Sequence, residues 1–533
     1  MAAMGACKMA GPDGPVIESV KQMVGLFFGE ISERVPVWKR RLLECPDQLE
    51  ALEREVRTEF IRGADMVVAG VLAVVLMSPG LEAASEQTRR HFKQPLARGR
   101  NRSIKVRLLG GFVMWITSLY CEPKRGLFRP KDETATGLYV ELAQFGFGKG
   151  ITPGLQSLVA RQAAICPSLQ MAQEELERGG LKLNVKAVRR ITNQCGEDLL
   201  KLRKAQLMQW RAGKLPAGQE FKGKCVTVQI DGGRTKIRKA LRKATPPPEP
   251  LNAEGLVIQN APGRSKPKSK KTFDSEWREP KLLTIFVHDE HGRMAKKNQA
   301  VIDGTFAGPD ATAELVAMHL HRLGAAEALS VTFVSDGATW IWDRIDRIVS
   351  QAKIPETVKI HQVLDNCHAS HHISMALAAL GLSDKERMPL YREHRTLVRN
   401  GQWRRVVDEL AALAAKDLAN SAVQTEIEYL RKHGAAGRLS YPHFRSQGIP
   451  IGSGAIESSI RRVINLRLKN NGTFWLESNA EIMLQLRATV ISGRWDERLK
   501  EVRAMNRSQA EPDWHWTPQP MSCKSEAEVT APT

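Results

Sequence analysis

The feature of the sequence that most constrains the fold is a set of short apolar runs between residues 222 and 365. Two of them end in an acidic residue followed by glycine: KCVTVQIDGG at Asp231 and ALSVTFVSDG at Asp336. Three further runs are KLLTIFVHDEHG, QAVIDGTF and TVKIHQVLD. Helical patterns lie between the last three of the five runs and after the final one. The order β-β-β-α-β-α-β-α predicts an α/β domain with a mixed sheet and helices on its faces.

The chain before this domain is predicted to be mainly helical. Residues 1–100 carry helical periodicity, as in VIESVKQMVGLFFGEI and LEALEREVRTEFIRGADMV. Residues 101–150 contain IKVRLLGGFVMWITSLY, whose alternation around a glycine pair indicates a β-hairpin, and then a connector. The N-terminal third is therefore expected to consist of a helical region followed by a hairpin.

Residues 151–215 contain two short helical patterns joined by Gly179 and Gly180. Asn184 is the expected N-cap of the second helix, and Gly196 is its expected end. A helix, a glycine turn and a basic helix are compatible with a helix-turn-helix DNA-binding region. An ordinary helical hairpin with a solvated basic face is the alternative.

The predicted α/β domain begins at residue 222, and its first part spans 222–382. This part includes an excursion at 241–280, which is rich in Pro, Gly, Ser and Lys and is expected to be partly disordered. Residues 383–440 read as helical throughout. Residues 505–533 are expected to be a disordered tail.

Three carboxylates are candidates for one functional site. Asp231 and Asp336 end predicted strands, and the carboxyl ends of strands are where open α/β sheets bind ligands. Glu457 follows a Gly-Ser-Gly turn in GSGAIES, with Ser453 as the expected N-cap of its helix. The simpler interpretations are that the aspartates are turn residues and that Glu457 is a favourable charge at a helix start. If the three converge, they would bind hard divalent cations and support phosphoryl transfer.

QIDGG, VSDGATWIW and GSGAIES resemble, in this order, the three motifs of DDE transposases with an RNase H-like catalytic domain. They are most similar to bacterial insertion-sequence enzymes of the ISKra type, related to the Mutator-like group. In that pattern Asp231, Asp336 and Glu457 take the places of the catalytic, metal-binding triad. The segment from Asp365 to His368 is similar to the Asp/Cys-x-x-His element of Mutator-like enzymes, which implies a supporting role for both residues.

The resemblance implies an RNase H-like fold with an all-helical insertion at 383–440, after which 441–504 form the last part of the catalytic domain. It also implies metal-dependent DNA cleavage followed by strand transfer. Its expected cofactor is Mg²⁺ (or Mn²⁺), with two ions. The expected partners are the terminal inverted repeats of an insertion sequence, target DNA, and further copies of the chain in a dimer or larger assembly. Two alternatives remain: an RNase H-like nuclease without strand transfer, and a non-catalytic DNA-binding protein derived from a transposase.

Composition favours a polyanionic partner. Lys and Arg total 79 against 58 Asp and Glu, a formal net charge of +21. Every phosphate that such residues neutralise releases counterions, so nucleic acid is the first candidate partner. A solvated basic face is the alternative for each basic segment. The residues expected to contact DNA are Lys186, Arg189, Arg190, Arg461, Arg462, Arg467 and Lys469.

The sequence does not favour a membrane or a secreted protein. The longest apolar run, Met66 to Met77, is shorter than the roughly 20 residues of a membrane span, and we expect it to be a buried core helix. The N-terminus lacks a charged segment followed by an apolar core, and the cysteines form no C-x-x-C pair. We therefore expect a cytoplasmic protein with reduced cysteines, and the resemblance implies a bacterial, nucleoid-associated one.

Two further sets of residues have competing interpretations. Asp303 in VIDGTF is a rival third carboxylate, but a turn residue is the simpler expectation. The cluster HQVLDNCHASHH could suggest a transition-metal site, although Cys367 and His368 are adjacent and no second cysteine follows at ligand spacing. A supporting role for His368 and a plain strand-to-helix junction are the other interpretations.

Overall fold

The computed structural model describes residues 14–90, 96–123, 138–147, 150–240, 273–414, 421–469 and 472–507. The chain forms two compact units. The first comprises Met1–Ala163, Leu169–Cys195 and Leu499–Thr533, and the second comprises Ala164–Ser168 and Gly196–Arg498.

The first unit begins with three helices: α1 (Gly14–Glu44), α2 (Leu49–Leu76) and α3 (Pro79–Arg90). Helices α1 and α2 pack side by side, which confirms a helical N-terminal region but ends it before residue 96. Met66 is buried, whereas Val68 is 53% and Val71 39% exposed. The buried core helix expected at 66–77 forms as the end of α2, up to Leu76, and it buries one of its faces. 

The hairpin of the first unit forms where the sequence predicts it. Strand β1 (Leu96–Arg107) pairs antiparallel with β2 (Val113–Pro123), which also pairs with the short β3 (Leu138–Tyr139) before helix α4 (Val140–Gln144). The turn contains Gly111 at φ +93°, a conformation that favours glycine. Asp65 of α2 accepts a hydrogen bond from the backbone N–H of Phe112 at 3.0 Å and so fixes the turn.

Helices α5 (Pro153–Ile165), α6 (Leu169–Arg178) and α7 (Val185–Arg211) follow. Asn184 Oδ1 accepts a hydrogen bond from the backbone N–H of Ala187 at 2.8 Å, which confirms it as the N-cap of α7. The expected end of that helix at Gly196 is wrong, since α7 continues to Arg211. A Cβ at Gly196 would lie 2.5 Å from Cγ2 of Ile482, so the glycine permits close helix packing.

The second unit is mixed α/β, as the sequence predicts. Its five-stranded sheet consists of β4 (Cys225–Gly232), β7 (Lys281–His288), β8 (Val301–Thr305), β9 (Ser330–Ser335) and β10 (Lys359–Leu364). The spatial order is β8-β7-β4-β9-β10. Strand β7 is antiparallel to both β4 and β8, whereas β4, β9 and β10 are parallel to one another. If the five strands of this sheet are numbered by their position in the chain, they lie side by side in the order third, second, first, fourth, fifth.

A second pair of strands, β5 (Thr235–Ala240) and β6 (Phe273–Arg278), forms an antiparallel ribbon between β4 and β7. The expectation of an irregular excursion at 241–280 is wrong for its last residues. Residues 273–278 form a strand that pairs with β5, and Ile237 of β5 is buried on one face of the ribbon. Residues 241–272 lie outside the described part of the chain.

Helices separate and follow the later strands of the second unit in the chain, and the last helix continues into residues of the first unit. The helical pattern between β9 and β10 forms two short helices. The predicted insertion at 383–440 is helical in α12, α13 and α14, and 415–420 lie outside the described residues. The helices are α8 (Pro309–Leu323), α9 (Thr339–Trp342), α10 (Ile345–Gln351), α11 (Asn366–Ala379), α12 (Asp384–Arg399), α13 (Trp403–Ala414), α14 (Ser421–Ala435), α15 (Tyr441–Ser446), α16 (Gly454–Ile460), α17 (Glu477–Ile491) and α18 (Trp495–Arg507).

The end of the chain is helical for longer than the sequence predicts. Helix α18 reaches Arg507, so the predicted disordered tail does not begin at 505, and residues 508–533 lie outside the described part. Among the described residues no single helix is long and apolar enough to cross a membrane. Pro46–Leu76 and Pro79–Gln87 reach that length and hydropathy only together, across a bend of 69°.

Candidate active site

Three aspartates lie at the carboxyl ends of three neighbouring parallel strands of the second unit. Asp231 is the next-to-last residue of β4, Asp336 follows β9 directly, and Asp365 follows β10 directly. Since β9 lies between β4 and β10, these strand-end aspartates share one edge of the sheet. The structure thus brings the two predicted aspartates together and adds Asp365 beside them.

The strand pairing also places the strand-end aspartates in one row. Val228 of β4 pairs with Phe333 of β9, and Ser335 of β9 pairs with Leu364 of β10. Continuing both registers to the strand ends aligns the three aspartates across the sheet. The backbone N–H of Asp365 donates to the Ser335 carbonyl at 2.9 Å, so the pairing of β9 with β10 continues to this aspartate.

Asp231 has an unusual electrostatic environment. Burial raises the pKa of its carboxyl to about 6, even though the Gly232 backbone N–H donates a hydrogen bond to it at 2.6 Å. The charges of Asp336 and Glu279 raise this pKa further, and His368 opposes them. Carboxylates held together in this way disfavour the ionised form until a cation joins them.

Asp336 is fixed by its own turn and by the helical insertion. Its Oδ1 accepts a hydrogen bond from the backbone N–H of Ala338 at 3.1 Å, and its carbonyl accepts one from Trp342 Nε1–H at 2.8 Å. Tyr429 of α14 packs so closely on Gly337 that a Cβ there would lie 2.0 Å from Cε2 of the ring. Neither Gly337 nor Tyr429 was singled out from the sequence.

Glu457 lies on α16 and is exposed, and Ser453 is the N-cap of that helix, as predicted. Gln229 of β4 holds the turn before the helix: its Nε2 donates to the Gly452 carbonyl, and its Oε1 accepts from the Ile456 backbone N–H, each at 2.9 Å. Gln229 is 1% exposed. A glutamine inside an apolar strand run was the signal that could have identified this role, because a buried amide requires hydrogen-bond partners.

Asp365 holds the same turn from β10. It is completely buried, its Oδ1 accepts from the Ser453 backbone N–H at 3.1 Å, and its Oδ2 accepts from that of His368 at 3.2 Å. Asp365 is also the N-cap of α11, which makes HQVLDNCHASHH a strand-to-helix junction. Two strands, β4 and β10, therefore determine where the Glu457 helix begins.

A possible metal-binding group of three is found among the described residues, and it differs from the predicted triad. Ligand atoms of Asp365, His368 and Glu457 all lie within 4.8 Å of one another. Asp231, Asp336 and Glu457 do not form such a group among the described residues. In this structure Glu457 therefore forms its close group with the predicted supporting pair, Asp365 and His368.

Two other side chains of the junction, His372 and Cys367, do not belong to this group of three. His372 is paired with Glu426 of α14 and stacks on Tyr429 with 3.5 Å between ring centroids. Cys367 is exposed to solvent on one side. Partial burial of its thiol, followed by the charge of Asp365, raises the pKa of that thiol. Of the HQVLDNCHASHH segment, only Asp365 and His368 belong to the possible metal-binding group found among the described residues.

Asp303 is neither a turn residue nor part of the row of aspartates. It lies in β8, is 2% exposed, and pairs with Arg203 at 3.0 Å and His319 at 2.9 Å. These two partners hold the pKa of its carboxyl below the usual range despite complete burial. The expectation of a turn is wrong. Asp303 lies inside a strand, and its carboxylate is paired with buried side chains from helices α7 and α8.

The predicted DNA-contacting residues are exposed with one exception. In the first unit, Lys186, Arg189 and Arg190 are exposed on α7, and in the second Arg461, Arg462 and Lys469 are exposed after α16. Arg467 is only 6% exposed, lies 5.2 Å from the centre of the Trp475 ring, and has its pKa lowered by burial. The expectation that Arg467 faces solvent is therefore wrong, because it packs in the interior behind that surface.

Comparisons with protein-family models, with curated proteins and with solved structures found no match for the chain. The residues of the site thus carry the functional argument.

Proposed function

We propose that this chain is a DDE transposase that cleaves DNA at the ends of an insertion sequence and transfers the freed strands. The observation that carries the proposal is the row of strand-end aspartates, with Glu457 held beside it by Gln229 of β4 and Asp365 of β10. Phosphoryl transfer needs little covalent chemistry from the protein and depends on positioning and on charge stabilisation. A fixed row of carboxylates is suited to both.

The strand order supports an RNase H-like catalytic domain. Three antiparallel strands occur first, and the fourth and fifth then lie parallel to the first on its other side. An RNase H-like domain has this order, with acidic residues at the ends of its first and fourth strands. The helical segment α12–α14 interrupts the domain between the fifth strand and the Glu457 helix, as the resemblance implies.

The donor set fits Mg²⁺ or Mn²⁺, which prefer carboxylate oxygens. Asp231, Asp336 and Glu457 would hold two such ions. Burial first, and then the charge of Asp336, raise the pKa of Asp231, and a bound cation would stabilise its ionised form. When bound, these ions activate the attacking oxygen and neutralise charge on the phosphate being transferred.

The remaining residues of the site position these groups. Asp365 fixes the turn before Glu457, and Trp342 fixes the backbone of Asp336. His368 lies beside Glu457 and lowers the pKa of Asp231, and it would orient the nearby carboxylates or a DNA phosphate. A supporting role for Asp365 and His368 follows from these contacts.

The partners in this proposal are DNA and further copies of the chain. Exposed basic residues on α7 and after α16 would contact the phosphates of terminal inverted repeats and target DNA. Both ends of a mobile element must be joined, so a dimer or larger assembly on DNA is expected, and the chain would act at the nucleoid of a bacterial cell.

The test is a cleavage assay on a plasmid that carries the DNA flanking the gene for this chain, with Mg²⁺ or Mn²⁺. Wild-type protein should release and rejoin the flanked segment. Asp231→Asn, Asp336→Asn and Glu457→Gln should bind the same DNA and neither cut nor join it. Glu290→Gln, which changes a side chain that is 82% exposed, serves as the matched control and should remain active.

The outcome of this assay also separates the two alternatives. Cleavage that depends on the triad but produces no joined product would identify an RNase H-like nuclease. Full strand transfer by any of the three triad variants would refute the proposed site, and sequence-specific binding without any cutting by the wild type would indicate a non-catalytic DNA-binding protein.

A further inference from the structure

The ribbon formed by β5 and β6 presents aromatic rings and cations together on one face. Cross-strand pairing aligns Lys236 with Trp277, and places Arg238 and Phe273 on the same side of the ribbon. Residues 474 and 475 run beside β5, where Trp475 exchanges backbone hydrogen bonds with Lys236 and Arg238. The surface that results, called here the ring-cation face, consists of Lys236, Arg238, Phe273, Trp277 and Phe474.

Two of the three rings of the ring-cation face are exposed, and the third, Phe273, is half-buried. Trp277 is 52% and Phe474 37% exposed. Lys236 Nζ lies 5.2 Å from the centre of the Trp277 ring and 5.5 Å from that of Phe474. Ile237, on the opposite face of the ribbon, is 1% exposed and packs into the interior. The ribbon is therefore anchored by one face, which leaves its ring-bearing face open.

The charged side chains of the ring-cation face, Lys236 and Arg238, are both positive. Asp274 and Glu276 occupy the alternate positions of β6 and so point to the other side, where Glu276 pairs with Lys239 and Arg278. Ser275 is the β6 residue between the two ring positions. Among the described residues, neither Lys236 nor Arg238 has a carboxylate within ion-pair distance. A ligand with planar groups and negative charge matches this surface.

The ribbon begins at the candidate active site. Strand β5 starts four residues after Asp231, and β6 leads directly into β7, which pairs with β4 up to Gly232. The backbone N–H of Gly233 donates to the carbonyl of Pro280 at 2.9 Å. This hydrogen bond joins the segment that enters β5 to the segment that follows β6. Five residues separate Asp231 from Lys236, a span of at most about 18 Å.

We propose that the ring-cation face binds unpaired nucleotides of the DNA strand next to the cleavage site, an inference that rests on the proposed function. Exposed rings stack on bases, and neighbouring cations bind the phosphates of a single strand. Paired bases in a duplex offer only their edges in the grooves, so they leave no partner for the faces of Trp277 and Phe474. The substrate class assigned to this surface is therefore a locally unpaired DNA end.

The test measures binding of fluorescein-labelled oligothymidine of about 16 nucleotides and of a duplex of matched length by fluorescence anisotropy. The protein carries Asp231→Asn and no divalent cation is present, so the readout is independent of chemistry. Trp277→Ala and Phe474→Ala should each weaken single-strand binding about 5- to 100-fold, and Trp277→Phe should retain most of it. Duplex binding should change by less than about twofold, since it depends on phosphate contacts elsewhere.

Trp115→Ala is the matched control, because Trp115 is a tryptophan that is 69% exposed on β2 of the first unit. It should leave single-strand binding unchanged. Unchanged single-strand affinity in both ring variants would overturn the inference and assign the face to another occupant, such as a protein. Equal loss of single-strand and duplex binding would also overturn it, since that result describes a general electrostatic surface.

Failure of this inference and failure of the proposed function give different results. A wild-type chain that cuts and joins DNA, with ring variants that bind single strands normally, contradicts only the ring-cation face. A chain that never cuts DNA, with Trp277→Ala selectively defective in single-strand binding, supports the face and contradicts only the transposase proposal.

Discussion

Oδ1 of the buried Asp365 accepts a hydrogen bond from the backbone N–H of Ser453 at 3.1 Å, although the two residues lie far apart in the chain. Oδ2 of the same carboxylate accepts from the His368 backbone N–H. One side chain thus caps α11 and holds the turn from which the Glu457 helix starts. Because the helical insertion lies between them in sequence, this contact closes the site across the whole insertion.

Removing this carboxylate should therefore affect both stability and chemistry. Asp365→Ala leaves two buried N–H groups without an acceptor, at a cost of about 1–3 kcal/mol each in the free energy of unfolding. Asp365→Asn keeps one acceptor and should lose less. Urea unfolding measures the first effect and DNA cleavage the second, and full cleavage by a folded Asp365→Ala protein would refute the positioning role.

The contact between Gly337 and Tyr429 predicts a suppressor pair. Gly337→Ala places a methyl group 2.0 Å from Cε2 of the Tyr429 ring. The ring and the turn after Asp336 must then move apart, which we expect to cost about 1–3 kcal/mol of unfolding free energy and to reduce cleavage.

Tyr429→Ala removes the obstructing ring. The double variant Gly337→Ala, Tyr429→Ala should therefore be at least as stable as Tyr429→Ala alone, as judged by thermal unfolding. Additive losses from the two changes would contradict the assigned contact.

The raised pKa of Asp231 predicts that the site destabilises the fold without metal. The folded carboxyl has a pKa of about 6 against an ordinary value of 3.8, so stability falls as pH rises from 3.8 to 6 and stays lower above that range. Asp231→Asn should then raise the unfolding free energy by about 1–2 kcal/mol at pH 7.5 in a chelator, with little effect near pH 4.

Adding Mg²⁺ should reverse this comparison. The ion stabilises the ionised wild-type site by binding the folded state, whereas Asp231→Asn has lost a ligand. Thermal unfolding with and without Mg²⁺ measures both effects. An equal Mg²⁺-induced shift in the two proteins would show that Asp231 does not contribute to metal binding.

A separate acid transition is expected from His319, which is buried beside Asp303. Burial lowers the pKa of His319 to about 4 from 6.5, so its contribution to stability is present above pH 6.5 and is lost as pH falls toward 4. His288 and His433 act in the same direction. His319→Gln should reduce the loss between pH 7 and 4.5 by about 2 kcal/mol in urea unfolding, and an identical loss would exclude this histidine as a cause.

The sequence predicted the five strands of the main sheet because their apolar runs have the right length and end in turn residues, but it did not predict the ribbon of β5 and β6. Asp231 and Asp336 could be placed at one sheet edge for the same reason. The hydrogen bonds that position Glu457 could not be predicted, because Gln229, Asp365 and the Gly-Ser-Gly turn are distant in the chain and meet only in the folded sheet.

The errors of sequence interpretation share a physical origin. Gly196 and Asp303 have strong local preferences for a helix end and a turn, yet tertiary packing decides otherwise at both positions. Arg467 follows the pattern of a basic surface and is nevertheless buried against Trp475. Local propensity does not record which neighbour a side chain meets, and these residues are determined by that neighbour.

The most direct test of the site is the anomalous scattering of Mn²⁺ bound to crystals of the full chain with its DNA end. The account predicts Mn²⁺ with carboxylate oxygens of Asp231, Asp336 and Glu457 at about 2.0–2.6 Å. Mn²⁺ held by Asp365, His368 and Glu457, without Asp231 and Asp336, would contradict it.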